Sequence, residues 1–335
     1  MKDFAGVAAS SAVASVLATN LKNEVRTRHL LSIHDFKTDD LRKLVDTAVA
    51  FAAGQKFGRS SLRGSTVGIY FRRPSTRTRT SFTVAAHRLG AKTIQYGPAD
   101  LQLTTGETVE DTARVLSGFL KALVIRTNDS LSEMKLFAKQ DRMSVINAMS
   151  ENEHPTQVIA DLGTIREALG RLDDVHVLYL GEGNNTAASL ALAMAMIPGM
   201  RLTLVTPAGY GLPNDQLETA QLMARDSGAE IEHHHCIDQL PRNVDVVYTT
   251  RWQTMGVPKA DPDWKPKFRP YSVTKDLMAK VSKRFGTIFL HDLPAVRGDD
   301  VVDEVLDGPQ SKAFRQAEYK LFGAMAALSW CVGDI

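Results

Sequence analysis

Thr66-Val67-Gly68-Ile69-Tyr70-Phe71-Arg72-Arg73-Pro74-Ser75-Thr76-Arg77-Thr78-Arg79-Thr80 runs from a β-prone segment straight into a cluster of arginines and hydroxyls. A short apolar run of this kind reads as a buried strand, Thr66–Phe71. The segment from Thr76 to Leu89 reads as a helix that Gly90 stops. Ser75 stands where a helix N-cap is expected. First-turn N–H groups have no intrahelical partners and lie at the positive end of the helix dipole, so such a turn favours an anion. Arg77 can add a fork of charge-assisted bonds, and the Ser and Thr hydroxyls add neutral ones. The plain alternative is a capped helix with a solvated basic face. A place at the carboxyl end of a strand, where binding groups concentrate, weighs against it. The spacing is not that of the GxxxxGK[ST] loop, so a small phosphorylated ligand fits better than a nucleotide.

On either side of this stretch the same alternation continues. Strands are expected at Lys92–Tyr96, Ala122–Arg126 and Ser144–Asn147, with helices between them. A long helix from Pro155 to Leu169 opens a second series. Its strands are Val175–Leu180, Arg201–Val205, Val244–Tyr248 and Thr287–Leu290, and its helices Asn185–Ile197 and Asp215–Ser227. Lys312 to Cys331 forms one amphipathic helix that can pack back across the first series. The fold class is therefore α/β: two doubly wound domains with mostly parallel sheets, joined by inter-domain helices. Ligands of such folds bind beyond the carboxyl ends of the strands, which places the active site in the cleft between domains.

Composition narrows the function. The 335 residues are 44% hydrophobic and 23% charged, an ordinary globular balance, and the length suggests two domains. Forty basic against 38 acidic residues give a net charge of +2, which offers nucleic acid no broad basic field. Cys236 and Cys331 are too few for a disulfide framework and fit a reducing compartment. No apolar stretch reaches the ~18–20 residues of a membrane span. Ala5 to Ala18 is apolar and uncharged like the middle of a signal peptide, but Asp3 and the lack of a small-x-small site argue against export. A frayed or surface-docked leader helix and a cytoplasmic location are the expectations.

Asn147 closes a strand and leads to Ser150-Glu151-Asn152-Glu153-His154-Pro155-Thr156-Gln157. Proline suits the first helical position and holds the residue before it extended, so His154 sits at a helix mouth with little freedom, and Gln157 lies one turn on. A lone histidine is more often structural; beside an amide at a helix start facing a cleft, it reads as functional.

From Arg28 onward the chain resembles the ornithine and aspartate carbamoyltransferase family. Ser75-Thr76-Arg77-Thr78-Arg79 matches its carbamoyl-phosphate loop, His154-Pro155-Thr156-Gln157 its second signature, and His291-x-Leu293-Pro294 its third. Gln102, Gly106-Glu107-Thr108 and Asp111-Thr112-Ala113-Arg114 match the loop and helix between. Each motif is short, but all occur in order with family spacing. The resemblance implies a leader at 1–28, a carbamoyl-phosphate-binding domain at 29–150, an acceptor-binding domain at 151–310 and a returning C-terminal helix at 311–335. It implies that Ser75, Thr76, Arg77 and Thr78 hold the phosphate, and that Arg126, His154 and Gln157 hold the carbamoyl group. Lys320 stands near a carbamoyl-phosphate arginine of the family, and Gln102 lies in a loop that reaches into the neighbouring subunit of a trimer. The implied reaction moves a carbamoyl group from carbamoyl phosphate to an amine of a small amino acid, and neither step needs a metal or an organic cofactor.

Which amine accepts the group is where the sequence departs from its family. Ornithine enzymes carry Asp-x-x-x-Ser-Met-Gly, whose acid holds the substrate α-amino group; here the segment is Thr250-Arg251-Trp252-Gln253-Thr254-Met255-Gly256. Thr250-Arg251-x-Gln253 also resembles the Thr-Arg-x-Gln of aspartate enzymes, and an added arginine favours an extra carboxylate or a shorter acceptor. The ornithine enzymes' His-Cys-Leu-Pro has become His291-Asp292-Leu293-Pro294, so Asp292 can take over the acceptor's ammonium. Thr105 replaces the basic residue expected before Gly106. Gly181-Glu182-Gly183-Asn184-Asn185-Thr186 looks like the ornithine branch and gives Asn185 the acceptor carboxylate, ahead of Asn184. Ornithine or a related diamino acid is the acceptor that this pattern favours. An aspartate-type acceptor and a non-catalytic assembly subunit are the alternatives.

Two other readings are weaker. Gly181-x-Gly183 after a strand suggests a dinucleotide site, but the third glycine and a ribose-binding acid after Val205 are missing. His233-His234-His235-Cys236 invites a zinc reading. Adjacent residues of an extended segment point to opposite faces, however, and no partner pair sits at ligand spacing, so a solvated loop near a strand end is expected.

Overall fold

The computed structural model describes residues 27–55, 62–253 and 258–335. Most of the leader expectation therefore falls outside the described residues. The first half comprises α1 (Thr38–Ala52), β1 (Thr66–Phe71), α2 (Thr76–Arg88), β2 (Lys92–Tyr96), α3 (Val109–Leu116), β3 (Ala122–Arg126), α4 (Ser132–Phe137) and β4 (Ser144–Met149). After α5 (Pro155–Leu169), the second half comprises β5 (His176–Leu180), α6 (Asn185–Ala195), β6 (Arg201–Val205), α7 (Asn214–Ser227), β7 (Glu230–His234), β8 (Val246–Thr249), α8 (Trp264–Phe268), α9 (Lys275–Val281), β9 (Ile288–His291) and α10 (Asp303–Leu306). α11 (Ala313–Cys331) closes the chain.

Each half forms one parallel sheet, ordered β2-β1-β3-β4 and β7-β6-β5-β8-β9. Parallel sheets need cover on both faces, and the central strands β3 and β5 are buried at every residue. Strand order reverses between β1 and β3 in the first sheet and between β5 and β8 in the second. A crevice opens at each reversal. Register fixes who meets there: Phe71 pairs with Arg126, and Leu180 with Thr249, so the chain leaves each pair of strands side by side.

α5 joins the halves, and α11 packs on α5, α2 and α1, returning across the first half. The α5–α11 crossing depends on Gly163, where a Cβ would stand 2.7 Å from the Tyr319 ring. One apolar core runs continuously from β1 and β3, through α5, to β5 and β6.

One sequence expectation is corrected. The histidine run does not form a solvated loop: Glu230–His234 is β7, the edge strand of the second sheet. Only Ile231 is buried in it, so the apolar alternation that reveals a strand is faint, and charged residues suit a sheet edge. His233 Nε2 lies 2.8 Å from Thr206 Oγ1, and His235 Nδ1–H donates to Thr206 O at 2.8 Å.

Candidate active site

Ser75 is the N-cap of α2, as its position predicts, but its side chain makes no capping bond. Ser75 lines a hollow, together with Arg77 and Thr78. Arg126, at the end of β3, is 5% exposed; its Nη1 donates to Thr78 Oγ1 at 3.3 Å and lies 3.4 Å from His154 Nε2. Its Nε is buried without a partner, so the guanidinium holds a donor in reserve. Burial lowers Arg126 to about 10, helped by the charge of Arg77 and opposed by Asp292. Burial also lowers Arg77. Thr76 is exposed and lines the adjacent surface groove beside α11.

His154 is the N-cap of α5 with Pro155 in the first turn, the mouth position read from the sequence. Its backbone N–H donates to Ser189 Oγ on α6 at 2.8 Å, tying the two halves together. Burial, then the charges of Lys320 and Arg126, hold the imidazole well below its ordinary value, which favours the neutral ring. Gln157 joins a buried network. Its Oε1 accepts from Lys320 Nζ on α11, and its Nε2 donates to Asp161 Oδ1 at 2.7 Å. Asp161 also accepts from Gln316 Nε2 at 2.6 Å and from Tyr248 OH at 3.2 Å. Gln316 Oε1 in turn accepts the His291 N–H at 2.9 Å. Burial pushes the Asp161 carboxyl up and the Lys320 ammonium down. The sequence carried one overlooked signal here: Asp161 lies four residues after Gln157 on the same helix face.

The second half supplies the opposite wall. Asn184 is the N-cap of α6; its Oδ1 accepts from Thr186 N and Ala187 N, and its Nδ2 donates to Thr250 Oγ1 at 3.3 Å. Asn185 donates to Ser150 O at 2.7 Å, and both asparagines line the hollow. The loop before them crosses another so closely that a Cβ on Gly183 would lie 2.3 Å from the Gly211 backbone. That glycine serves packing and no dinucleotide reading is needed for it. Asp292, past the end of β9, accepts from Thr186 Oγ1 at 3.0 Å and from Thr250 Oγ1 at 3.0 and 3.2 Å.

The loop of Asp292 is clamped from behind. His291 Nδ1 accepts the Leu293 N–H at 2.8 Å, which leaves Nε2–H for Asp300 Oδ2 at 2.6 Å. Asp300 also accepts the Val296 N–H. Arg251, Gln253, Leu293, Pro294 and Met149 complete the lining, with Arg251 half-buried. Thr254 and Met255 lie outside the described residues. Gln102 is exposed in a 3₁₀ turn, Gln102–Thr105, away from this hollow. Thr186, Asp161 and Gln316 are the polar groups that sequence reading did not single out.

One wall thus gathers Arg77, Arg126 and Lys320 around the mouth of α2, and the other presents a carboxylate. That arrangement can seat a small anion with its carbonyl between Arg126 and His154. Comparison with known proteins identifies the scaffold. Residues 28–167 match the carbamoyl-phosphate-binding domain of aspartate/ornithine carbamoyltransferases, and residues 173–331 match their Asp/Orn-binding domain. The chain belongs to the aspartate/ornithine carbamoyltransferase family. Among its relatives in this carbamoyltransferase family is the ornithine carbamoyltransferase of Caldicellulosiruptor saccharolyticus, 40% identical over 92% of this chain and 100% of the relative. The anabolic ornithine carbamoyltransferase of Pyrococcus furiosus is 37% identical over 92% and 97%. The solved structure of an ornithine carbamoyltransferase from Pyrococcus furiosus superposes with a TM-score of 0.84 at 35% identity, covering 93% of this chain and 99% of that one. The protein is a carbamoyltransferase on an α/β fold of two parallel sheets. No described helix is long and apolar enough to cross a membrane.

Proposed function

We propose that this carbamoyltransferase moves the carbamoyl group of carbamoyl phosphate to the side-chain amine of ornithine or a related diamino acid. The observation that carries the reading is the opposition, across one hollow, of Arg77, Arg126 and Lys320 to Asp292. The phosphate sits on the first turn of α2 with Ser75, Arg77 and Thr78, and Thr76 contributes through its backbone. The carbonyl oxygen lies between Arg126 and His154, and Gln157 holds the carbamoyl amide while positioning Lys320. A neutral amine attacks the carbamoyl carbon, charge gathers on the oxygen, the C–O bond to phosphate breaks, and phosphate leaves with the amine proton. Each donor aimed at that oxygen is worth about 2.7–4 kcal/mol of barrier. Holding both substrates in one cleft adds several kcal/mol more, about the scale of effective-molarity gains. Nothing in this sequence of steps calls for a metal or an organic cofactor.

Asn185, Thr250, Arg251, Gln253, Thr254, Met255, Asp292 and Leu293 serve the acceptor. Presence of Arg251 and Gln253 in the lining favours a second reading, an aspartate-type acceptor. Asp292 opposes it, since a dicarboxylate would meet a like charge. A homotrimer in the cytoplasm fits the family. The exposed Gln102–Thr105 turn and the apolar Ile94 and Phe119, 43% and 73% exposed, offer one subunit something to give the next. Boundaries near residues 28, 150 and 310 follow the two sheets and the returning helix. Labelled carbamoyl phosphate with ornithine or aspartate tests the reading: label in a ureido product of the diamino acid supports it, and label in carbamoyl aspartate alone overturns it.

A further inference from the structure

We propose that Asp292 anchors the non-reacting ammonium of the acceptor, and that this acceptor is a diamino acid shorter than ornithine, with two or three carbons between its nitrogens. The proposal rests on the carbamoyl-transfer reading above and sharpens its acceptor. Asp292 is the one carboxylate among the described residues that line the hollow. Its oxygens accept from Thr250 and Thr186, which fixes the group while leaving lone pairs toward the hollow. Its charge is felt by Arg77, Arg126 and Lys320 together, so it stands close to the donor cations.

The two walls are pinned to one helix. Thr186 Oγ1 donates to Asp292, and Ser189 Oγ accepts the backbone N–H of His154. Those residues are three apart on α6, on one face, with a rise between them of about 4.5 Å. Asp292 and the backbone of His154 therefore hang on α6 about one helical turn apart, and the charge of Asp292 acts on Arg126, whose Nη1 lies 3.4 Å from the His154 ring. The reacting amine must itself come within about 3–3.5 Å of the carbamoyl carbon. Little room remains for chain between the two nitrogens. Ornithine has four carbons there, and each carbon adds about 1.3 Å of extended reach. 2,3-Diaminopropionate, with two, and 2,4-diaminobutyrate, with three, fit the shorter span. Thr250 occupies the position where the segment of ornithine enzymes carries its acid, and here the negative charge lies one hydrogen bond away, on Asp292.

Asp292 cannot serve the reacting amine instead, because a carboxylate pairing with that nitrogen would keep it protonated and deprive it of the attacking lone pair. The second amine does the chemistry. It forms the C–N bond as the carbamoyl C–O bond breaks, and its proton leaves with phosphate, giving a short ureido amino acid.

Phosphate release from carbamoyl phosphate, measured with 2,3-diaminopropionate, 2,4-diaminobutyrate, ornithine, lysine and aspartate, tests this on the unmodified enzyme. One of the two short acceptors should exceed ornithine in kcat/KM by about tenfold or more, the discrimination a misplaced methylene allows. Ornithine ranking first overturns the inference and leaves the diamino-acid reading standing; release with aspartate alone overturns that reading as well. In Asp292→Asn the acceptor KM should rise while the KM for carbamoyl phosphate does not. A rise confined to carbamoyl phosphate would make Asp292 a donor-site group and sink the proposal. The double variant Thr250→Asp, Asp292→Cys should move the preference toward ornithine, and an unchanged ranking would count against the length argument.

Discussion

On the donor side of the hollow, Arg126, His154, Gln157 and Lys320 come from β3, α5 and α11 and are 7% exposed or less. On the acceptor side, Asp292, Thr250, Arg251 and Gln253 sit on two loops, one of which passes directly into residues 254–257 outside the described chain. The donor wall is buried in the common core, where Gln157, Lys320 and Asp161 bond to one another and only the Arg126 Nε among these side chains is left without a partner. The acceptor wall is held by caps and clamps: Asn184 on α6, His291 against Asp300, and Lys259 paired with Glu182 and set over Tyr210 and Phe268 at 4.8 and 4.9 Å. A fixed donor wall suits one invariant cosubstrate, and a wall made of loops lets acceptor chemistry change without disturbing the core.

If that contrast holds, damage to the donor wall should cost most. On the proposed reading Arg126→Ala removes a donor to the developing oxyanion, and it should lower kcat about 100- to 1000-fold, with the acceptor KM little changed. A fall of only a few-fold in steady-state kinetics would mean that the carbonyl does not lie there. Asp161→Asn comes next. It leaves Gln157 and Gln316 facing an amide in place of a carboxylate, and should cost about 1–3 kcal/mol in denaturant unfolding while raising the carbamoyl phosphate KM. A variant as stable as its parent with an unaltered donor KM would remove the network from the account.

The pH response sharpens the same contrast. Burial holds His154 neutral well below the usual 6.5, so kcat should show no inflection as pH falls from 8 through that value. On the proposed reading Lys320 faces phosphate as an ammonium, and burial lowers that ammonium from 10.5, so the carbamoyl phosphate KM should climb with rising pH earlier than an exposed lysine would cause. Lys320→Arg should flatten that climb. On the acceptor side the effects should be smaller. Lys259→Ala loses a pair with Glu182 and contact with three aromatic rings, about 0.5–2 kcal/mol, and should raise the acceptor KM a few-fold without touching donor binding.

Legibility in the sequence follows the same divide. Buried parallel strands such as Thr66–Phe71 and Ala122–Arg126 are continuous β-rich runs, and caps and prolines mark where α2 and α5 start, so the fold and the donor motifs could be read locally. β7 was missed because an edge strand of glutamates and histidines lacks apolar alternation. Asp161, Gln316 and Tyr248 were missed because they meet only through tertiary packing, 155 and 87 residues from Asp161 in sequence. Thr186 escaped for the opposite reason: a threonine in the first turn of a helix looks like ordinary capping material until Asp292 arrives from β9.

The most direct measurement is a crystal structure with phosphonoacetamide, a non-transferable stand-in for carbamoyl phosphate. The phosphonate should sit on the first turn of α2 against Ser75, Arg77 and Thr78, with the amide carbonyl between Arg126 and His154 and the space before Asp292 left open. Phosphonate bound on another surface, or a carbonyl turned toward Asp292, would contradict the account.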